Sequence, residues 1–204
     1  MYLQPVKVIA HGITDPKIAK YAIAKGVDFV EIDVSKQILV NKFTAQHNSF
    51  MGVLGLGPIL ETLLTKEIRT RAFLDLKPIS YRESFTLKLA DLLAKLSVKE
   101  VRVCGHNWTM LSLLEKRISA KPYYTIRDEE GAQRFKRALP NLSKPVGFSV
   151  KANLINEKFM KDFKNKSTEI WAWTVNDINE SKRLLNLNVD GIITDNWENT
   201  IKLR

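Results

Sequence analysis

Short runs of β-branched and aromatic residues alternate with longer stretches of helical periodicity along the chain. Runs over residues 5–11, 28–34, 70–77, 100–104, 121–127, 146–151, 169–175 and 189–194 predict strands. Helical patterns fill most of the intervals, over 15–25, 59–66, 83–96, 107–117, 129–138, 156–165 and 178–187. In the third of these, Leu87, Leu89, Leu92, Leu93 and Leu96 make the broad apolar stripe of a sheet-covering helix. Asp177 and Asn156 are placed to cap the helices they precede. A hairpin-like excursion, roughly 37–47, follows the second strand. Strands alternating with helices imply a parallel α/β sheet, and eight of them predict closure into a small (β/α)8 TIM barrel, a single domain over 1–204.

Strand phase sharpens this reading, because successive side chains point to opposite faces. In the second strand Val30, Ile32 and Val34 oppose Phe29, Glu31 and Asp33; in the third Ala72, Leu74 and Leu76 oppose Phe73, Asp75 and Lys77. In the fourth Val101 and Val103 oppose Arg102, Cys104 and His106; in the sixth Val146, Phe148 and Val150 oppose Gly147, Ser149 and Lys151. The apolar sets are expected to face the helices. The mixed sets are expected to line the barrel and end in polar residues at its C-terminal mouth, where barrel enzymes place their chemistry. The first strand ends in His11 and the fifth in Arg127.

Composition narrows the class. The 204 residues are 45% hydrophobic and 26% charged, ordinary for a globular protein. No apolar run approaches the ~20 residues of a membrane span. The start, MYLQPVKVIAHG, lacks a signal-peptide pattern, so a cytoplasmic location is expected. One cysteine, Cys104, excludes an internal disulfide framework. The net charge of +10 favours anionic partners. These include phosphate-bearing small molecules, an anionic membrane surface and nucleic acid, although no motif for specific nucleic-acid binding is present; the alternative is that many lysines merely solvate helix faces.

Glu31-Ile32-Asp33 sets two carboxylates on one side of a strand, and Asp75 ends the neighbouring strand in the same inward sense. Three convergent carboxylates in a half-buried mouth need a counter-charge, and a hard divalent cation with oxygen ligands is a natural one. The alternative is a set of strand-end charges paired with Lys77, Arg127 or Lys151. Of the three histidines, His11 ends the first strand, His47 follows the excursion and His106 follows the fourth strand. Two imidazoles beside a cation suit acid–base work near neutral pH. Lys77 is placed to neutralise a phosphoryl oxygen, to position a carboxylate, or only to form a salt bridge.

These segments, in this order, resemble the glycerophosphodiester phosphodiesterase family over nearly the whole chain. VIAHG resembles the opening strand with its catalytic histidine. AIAKGVDFVEIDV resembles the segment that carries the E-x-D ligands, AQHNS the second histidine motif and FLDLK the E-x-K strand. WAWTVND and VDGIITD are similar to the last two strands and are the most specific matches. The resemblance implies that Glu31, Asp33 and Asp75 hold one divalent cation, Mg2+ or Ca2+. It implies that His11 and His47 are the acid–base pair, that Lys77 contacts phosphate or ligands, and that Trp173 shapes the substrate wall, unless that ring is a core aromatic. It also implies a small-molecule or lipid phosphodiester substrate. Glycerophosphodiesters or lysophospholipid-type esters would be cleaved to an alcohol and glycerol phosphate, by way of a cyclic phosphate if a substrate hydroxyl attacks.

Four departures stand out. The segment between His47 and Asp75 is short where typical members carry a larger insertion, Gly12 occupies the position of an Arg common in the family, TDPKIAK replaces a Pro-Glu-Asn-Thr stretch, and Asp75 stands where Glu is commoner. The last trait, with the absent Arg, is similar to spider sphingomyelinase D enzymes of the same superfamily. Arg127 and Lys151 are candidates to restore the lost positive charge at the phosphate. Asp195 is expected to be a cap or structural acceptor. The competing readings are a degenerate, non-catalytic barrel that binds phosphate or a lipid surface, and a metal-dependent lyase acting on a phosphorylated metabolite.

Overall fold

A computed structural model describes residues 5–37, 42–77, 83–98, 100–138, 142 and 144–204. Eight parallel strands form a closed ring: β1 (Lys7–Ala10), β2 (Phe29–Lys36), β4 (Ala72–Leu76), β5 (Arg102–Gly105), β6 (Lys121–Ile126), β7 (Gly147–Lys151), β8 (Glu169–Trp173) and β9 (Gly191–Thr194). Closure comes from β1, which pairs with β9 on one side and β2 on the other. The fold is the expected (β/α)8 barrel. Strand β3 (Phe43–Ala45) lies outside the ring, antiparallel to the end of β2, with Lys36 opposite Phe43. Residues 38–41 of the expected excursion lie outside the described residues.

The helices are α1 (Pro16–Ala24), α2 (Ser49–Val53), α3 (Leu60–Leu63), α4 (Glu83–Lys95), α5 (Trp108–Ile118), α6 (Glu129–Ala138), α7 (Glu157–Phe163), α8 (Ile178–Asn186) and α9 (Trp197–Thr200). Asn156 accepts from Phe159 N, and Asp177 accepts from Asn179 N and Glu180 N, so both expected caps are in place. The stretch expected to be helical over 59–66 makes only the short α3, because Leu64 leaves the helical region at ψ 57°. Short α2 and α9 carry too little periodicity to be read from sequence.

The strand phases sort the core into two layers. Val30, Ile32, Val34, Leu74, Val103, Phe148 and Val150 pack outward among the helices. Ile9, Phe29, Phe73, Cys104, Tyr123, Trp171 and Ile193 fill the barrel. Val146 departs from its expected side: it precedes β7 and packs against the inner layer. The inner rings interlock, with Trp171 centroids 4.5 Å from Tyr123 and 4.8 Å from Phe73. Beneath them Glu169 accepts from Tyr123 Oη at 2.7 Å and Trp171 Nε1 at 2.9 Å, and pairs with Lys7. The floor of the barrel is thus sealed by aromatic rings tied to one carboxylate.

Candidate active site

Above that floor, the inward phase brings the chemistry together. The β2–β4 register sets Asp33 beside Asp75, and Glu31 lies one inward step below Asp33 on the same strand. One oxygen from each of Glu31, Asp33 and Asp75 lies within 4.8 Å of the others. Glu31 and Asp33 are buried. Burial first, then the charges of Asp33 and Asp75, push the Glu31 carboxyl well above its ordinary range; a hydrogen bond from Gly12 N at 2.7 Å opposes this in part. Burial raises Asp75 as well, against the pull of Lys77. The Lys77 ammonium bonds Asp75 Oδ2 and lies 3.0 Å from Asp33 Oδ1. Burial disfavours its charge, but Asp75 and Asp33 outweigh that and hold its pKa above the ordinary lysine range.

One ammonium does not balance three carboxylates. Asp33 Oδ1 and Asp75 Oδ1 are buried without a hydrogen-bond donor; Lys77 is close enough to Asp33 Oδ1 for ion pairing but not aligned for a hydrogen bond. Such oxygens are costly to bury unpaired. An all-oxygen donor set of this kind fits a hard divalent cation.

The two histidines stand beside the triad. Their ring centroids are 5.1 Å apart, with the planes at 84°. His47 follows β3, and its Nδ1 lies 2.9 Å from Asp33 Oδ2. His11 follows β1, and its Nδ1 lies 2.7 Å from Asp195 Oδ1. Asp195 is held in turn by Asn176 Nδ2 on its Oδ2, while its own backbone N–H donates to Asn176 Oδ1 at 2.9 Å. Burial works to raise Asp195, but the His11 and Asn176 bonds prevail and lower it. A carboxylate on each Nδ1 selects the Nδ1–H tautomer and leaves each Nε2 as the proton-exchanging nitrogen. Gly12 turns the chain here at φ +62°, a left-handed conformation that favours glycine.

A cavity of about 410 Å³ opens over these groups. His11, Glu31, His47, Asp75 and Lys77 line one side. Thr125, Arg127, Ser149 and Trp173 line the other, with the Arg127 guanidinium 5.9 Å from the Trp173 ring centroid. Thr125 Oγ1 and Trp173 Nε1 are buried without partners. Lys151 ends β7 exposed to solvent and does not line this cavity. His106 is also outside it; burial, then Arg127 and Lys77, lower its pKa to about 4. Sequence reasoning missed Asn176, whose only signal was a polar residue just beyond a strand end. It placed Ser149 inward without giving it a role. It missed Thr125, which strand alternation sets on the same face as Arg127.

A closed barrel with acidic and imidazole groups gathered at its C-terminal mouth has the layout of a barrel enzyme's active site. The model of the glycerophosphoryl diester phosphodiesterase family matches residues 85–199, more than half of the chain. The chain belongs to that family and is a phosphoric diester hydrolase. No curated protein sequence matches it significantly. Solved structures share the fold. A glycerophosphodiester phosphodiesterase from Thermotoga maritima has 19% identity and a TM-score of 0.73, with 100% of each chain covered. A putative glycerophosphoryl diester phosphodiesterase from Agrobacterium tumefaciens has 13% identity and a TM-score of 0.79, covering 98% of this chain and 97% of that one. An Oleispira antarctica phosphodiesterase in complex with the product sn-glycerol-3-phosphate has 15% identity and a TM-score of 0.69, covering 96% and 95%. The family match begins after Asp75 and Lys77.

Proposed function

We propose that this mouth cleaves a glycerophosphodiester, or a lysophospholipid-type diester, to an alcohol and glycerol phosphate by acid–base catalysis between His11 and His47. The carrying observation is the pair of imidazoles at 5.1 Å, each oriented through Nδ1 by a carboxylate, beside three clustered acids. The product bound to the Oleispira antarctica enzyme supports a glycerol phosphate moiety in the substrate.

Glu31, Asp33 and Asp75 would hold one divalent cation, Mg2+ or Ca2+; when bound, it supplies neutralising charge to a phosphoryl oxygen. His11 Nε2 takes the proton of the attacking oxygen. Asp195, on the opposite nitrogen, stabilises the imidazolium that forms. His47 gives a proton to the departing alcohol. Lys77 fixes Asp75 and keeps a permanent positive charge beside the reacting phosphate. Arg127 faces it from the other wall and supplies the charge that Gly12 cannot. Trp173 and Thr125 present unpaired donors to the substrate's oxygens. The attacking oxygen belongs to water or to a substrate hydroxyl; the second route gives a cyclic phosphate.

Phosphorus NMR with glycerophosphocholine, glycerophosphoethanolamine and a lysophospholipid reports turnover, the bond cut and any cyclic product. His11→Ala and His47→Ala are each expected to lose ~100- to 10,000-fold in rate with the fold intact. Full activity in either variant excludes this assignment.

A further inference from the structure

The segment that follows His47 is built unlike the rest of the surface. From Phe43 to Leu60 there is no Asp, Glu, Lys or Arg, where a 26% charged chain would place about five. Phe50, Met51, Leu54 and Leu56 are 67%, 38%, 55% and 50% exposed, and they account for four of the six large exposed apolar residues among the described residues. Scattered apolar residues on a surface need no explanation, but a cluster of this kind does.

The display is a consequence of how α2 is seated. Gly52 and Val53 are the inward residues of the short helix. A Cβ on Gly52 would stand 3.0 Å from Ser35 Cβ, so the helix lies close against β2. Thr44 Oγ1 donates to Gly52 O at 2.7 Å, Gln46 Nε2 donates to Leu56 O at 3.1 Å, and Asn48 caps the helix through Phe50 N and Met51 N. With this face pinned, Phe50, Met51 and Leu54 are turned to water. The patch is therefore held in place by the same short stretch of chain that delivers His47.

Its charged surroundings select the partner. Lys42 stands opposite Gln37, whose side chain lies against Gly55 beside the patch, and it pairs with no carboxylate among the described residues. Between Asp33 and Glu61 the sequence has no acidic residue, and the chain as a whole carries +10. Exposed aliphatic and phenyl groups with a basic residue beside them and no acidic one in the segment match the acyl–headgroup boundary of an anionic lipid surface.

We propose that Phe50, Met51, Leu54 and Leu56 form an interfacial anchor that docks the barrel mouth on anionic lipid. This deepens the proposed function and rests on it: with the mouth on the lipid surface, the preferred substrate is a single-chain phospholipid diester presented there, rather than a freely dissolved one.

Vesicle sedimentation tests docking apart from catalysis. The full chain is expected to bind vesicles of phosphatidylglycerol mixed with phosphatidylcholine, to bind pure phosphatidylcholine less, and to be released by high salt. Phe50→Ser with Leu54→Ser should reduce binding at least about tenfold with an unchanged circular dichroism spectrum. Leu54→Cys carrying a polarity-sensitive dye, with Cys104 buried and shielded from labelling, should shift to the blue on anionic vesicles. The double variant should also lose turnover of lysophospholipid micelles while keeping that of glycerophosphocholine. No vesicle binding by the unmodified chain, or a concentration-dependent dimer that the double variant abolishes, overturns the anchor. Vesicle binding without turnover of any diester would retain the anchor and reject the catalytic reading.

Discussion

At the scale of the residue, the proposed base is held by an acceptor at the far end of the chain, Asp195 Oδ1, 2.7 Å from His11 Nδ1. Asp195 fixes His11 from behind, so Asp195→Asn should lower kcat by about 100-fold or more by presenting an amide where the tautomer needs a carboxylate. KM should change far less, and steady-state kinetics separate the two. A second residue-scale prediction concerns stability. His106 titrates at 6.5 in its ordinary state and at about 4 in the fold, chiefly because burial disfavours its charge. Between those values the unfolded chain binds a proton that the folded chain refuses, so stability falls as pH drops from 6.5 towards 4. His106→Gln should remove that part of the acid sensitivity, which circular dichroism against pH reads as an acid midpoint moved to lower pH.

At the scale of the element, alternation makes much of the site legible in the sequence. A strand that reads Glu31-Ile32-Asp33 beside one that reads Phe73-Leu74-Asp75 has only one inward set that keeps Ile32 and Leu74 among the helices. That is why the inward clustering of the three acids follows from residue order, while the pairing of Asp33 with Asp75 is set by the sheet register. What stays hidden depends on contacts rather than period. Helix α2 is too short to show an apolar face, and it exists because β2 and Gln46 hold it. The pairing of His11 with Asp195 joins the two ends of the chain, and only ring closure brings them to 2.7 Å. The inner layer provides the test at this scale. A Cβ on Gly147 would lie 2.5 Å from Glu169 O and 2.6 Å from Tyr123 Cε1; one on Gly191 would lie 2.8 Å from the Trp171 ring. Gly147→Ala and Gly191→Ala should each cost about 1–3 kcal/mol through overpacking, measurable by urea unfolding.

At the scale of the molecule, the proposed cation would link folding stability to ion binding through the acidic mouth. Three carboxylates, two with buried unpaired oxygens, make the ion-free barrel less stable than its packing allows. Mg2+ or Ca2+ added to chelator-stripped protein should raise Tm. At 100 times Kd the gain is about 2.7 kcal/mol, or roughly 5–10 °C for a chain of this length. Asp75→Asn should abolish the ion-dependent rise, while Glu31→Gln should raise Tm in the absence of any ion by relieving repulsion. A Tm indifferent to both ions would remove the cation from this mouth.

The ring-filled base, where Glu169 ties down Tyr123 and Trp171, also governs traffic. The rings leave no passage through the barrel floor, so in the proposed reaction the glycerol phosphate would have to back out by the doorway through which the next diester arrives. Entrant and leaver then contend for one opening, and inhibition by accumulated glycerol phosphate should be competitive with substrate.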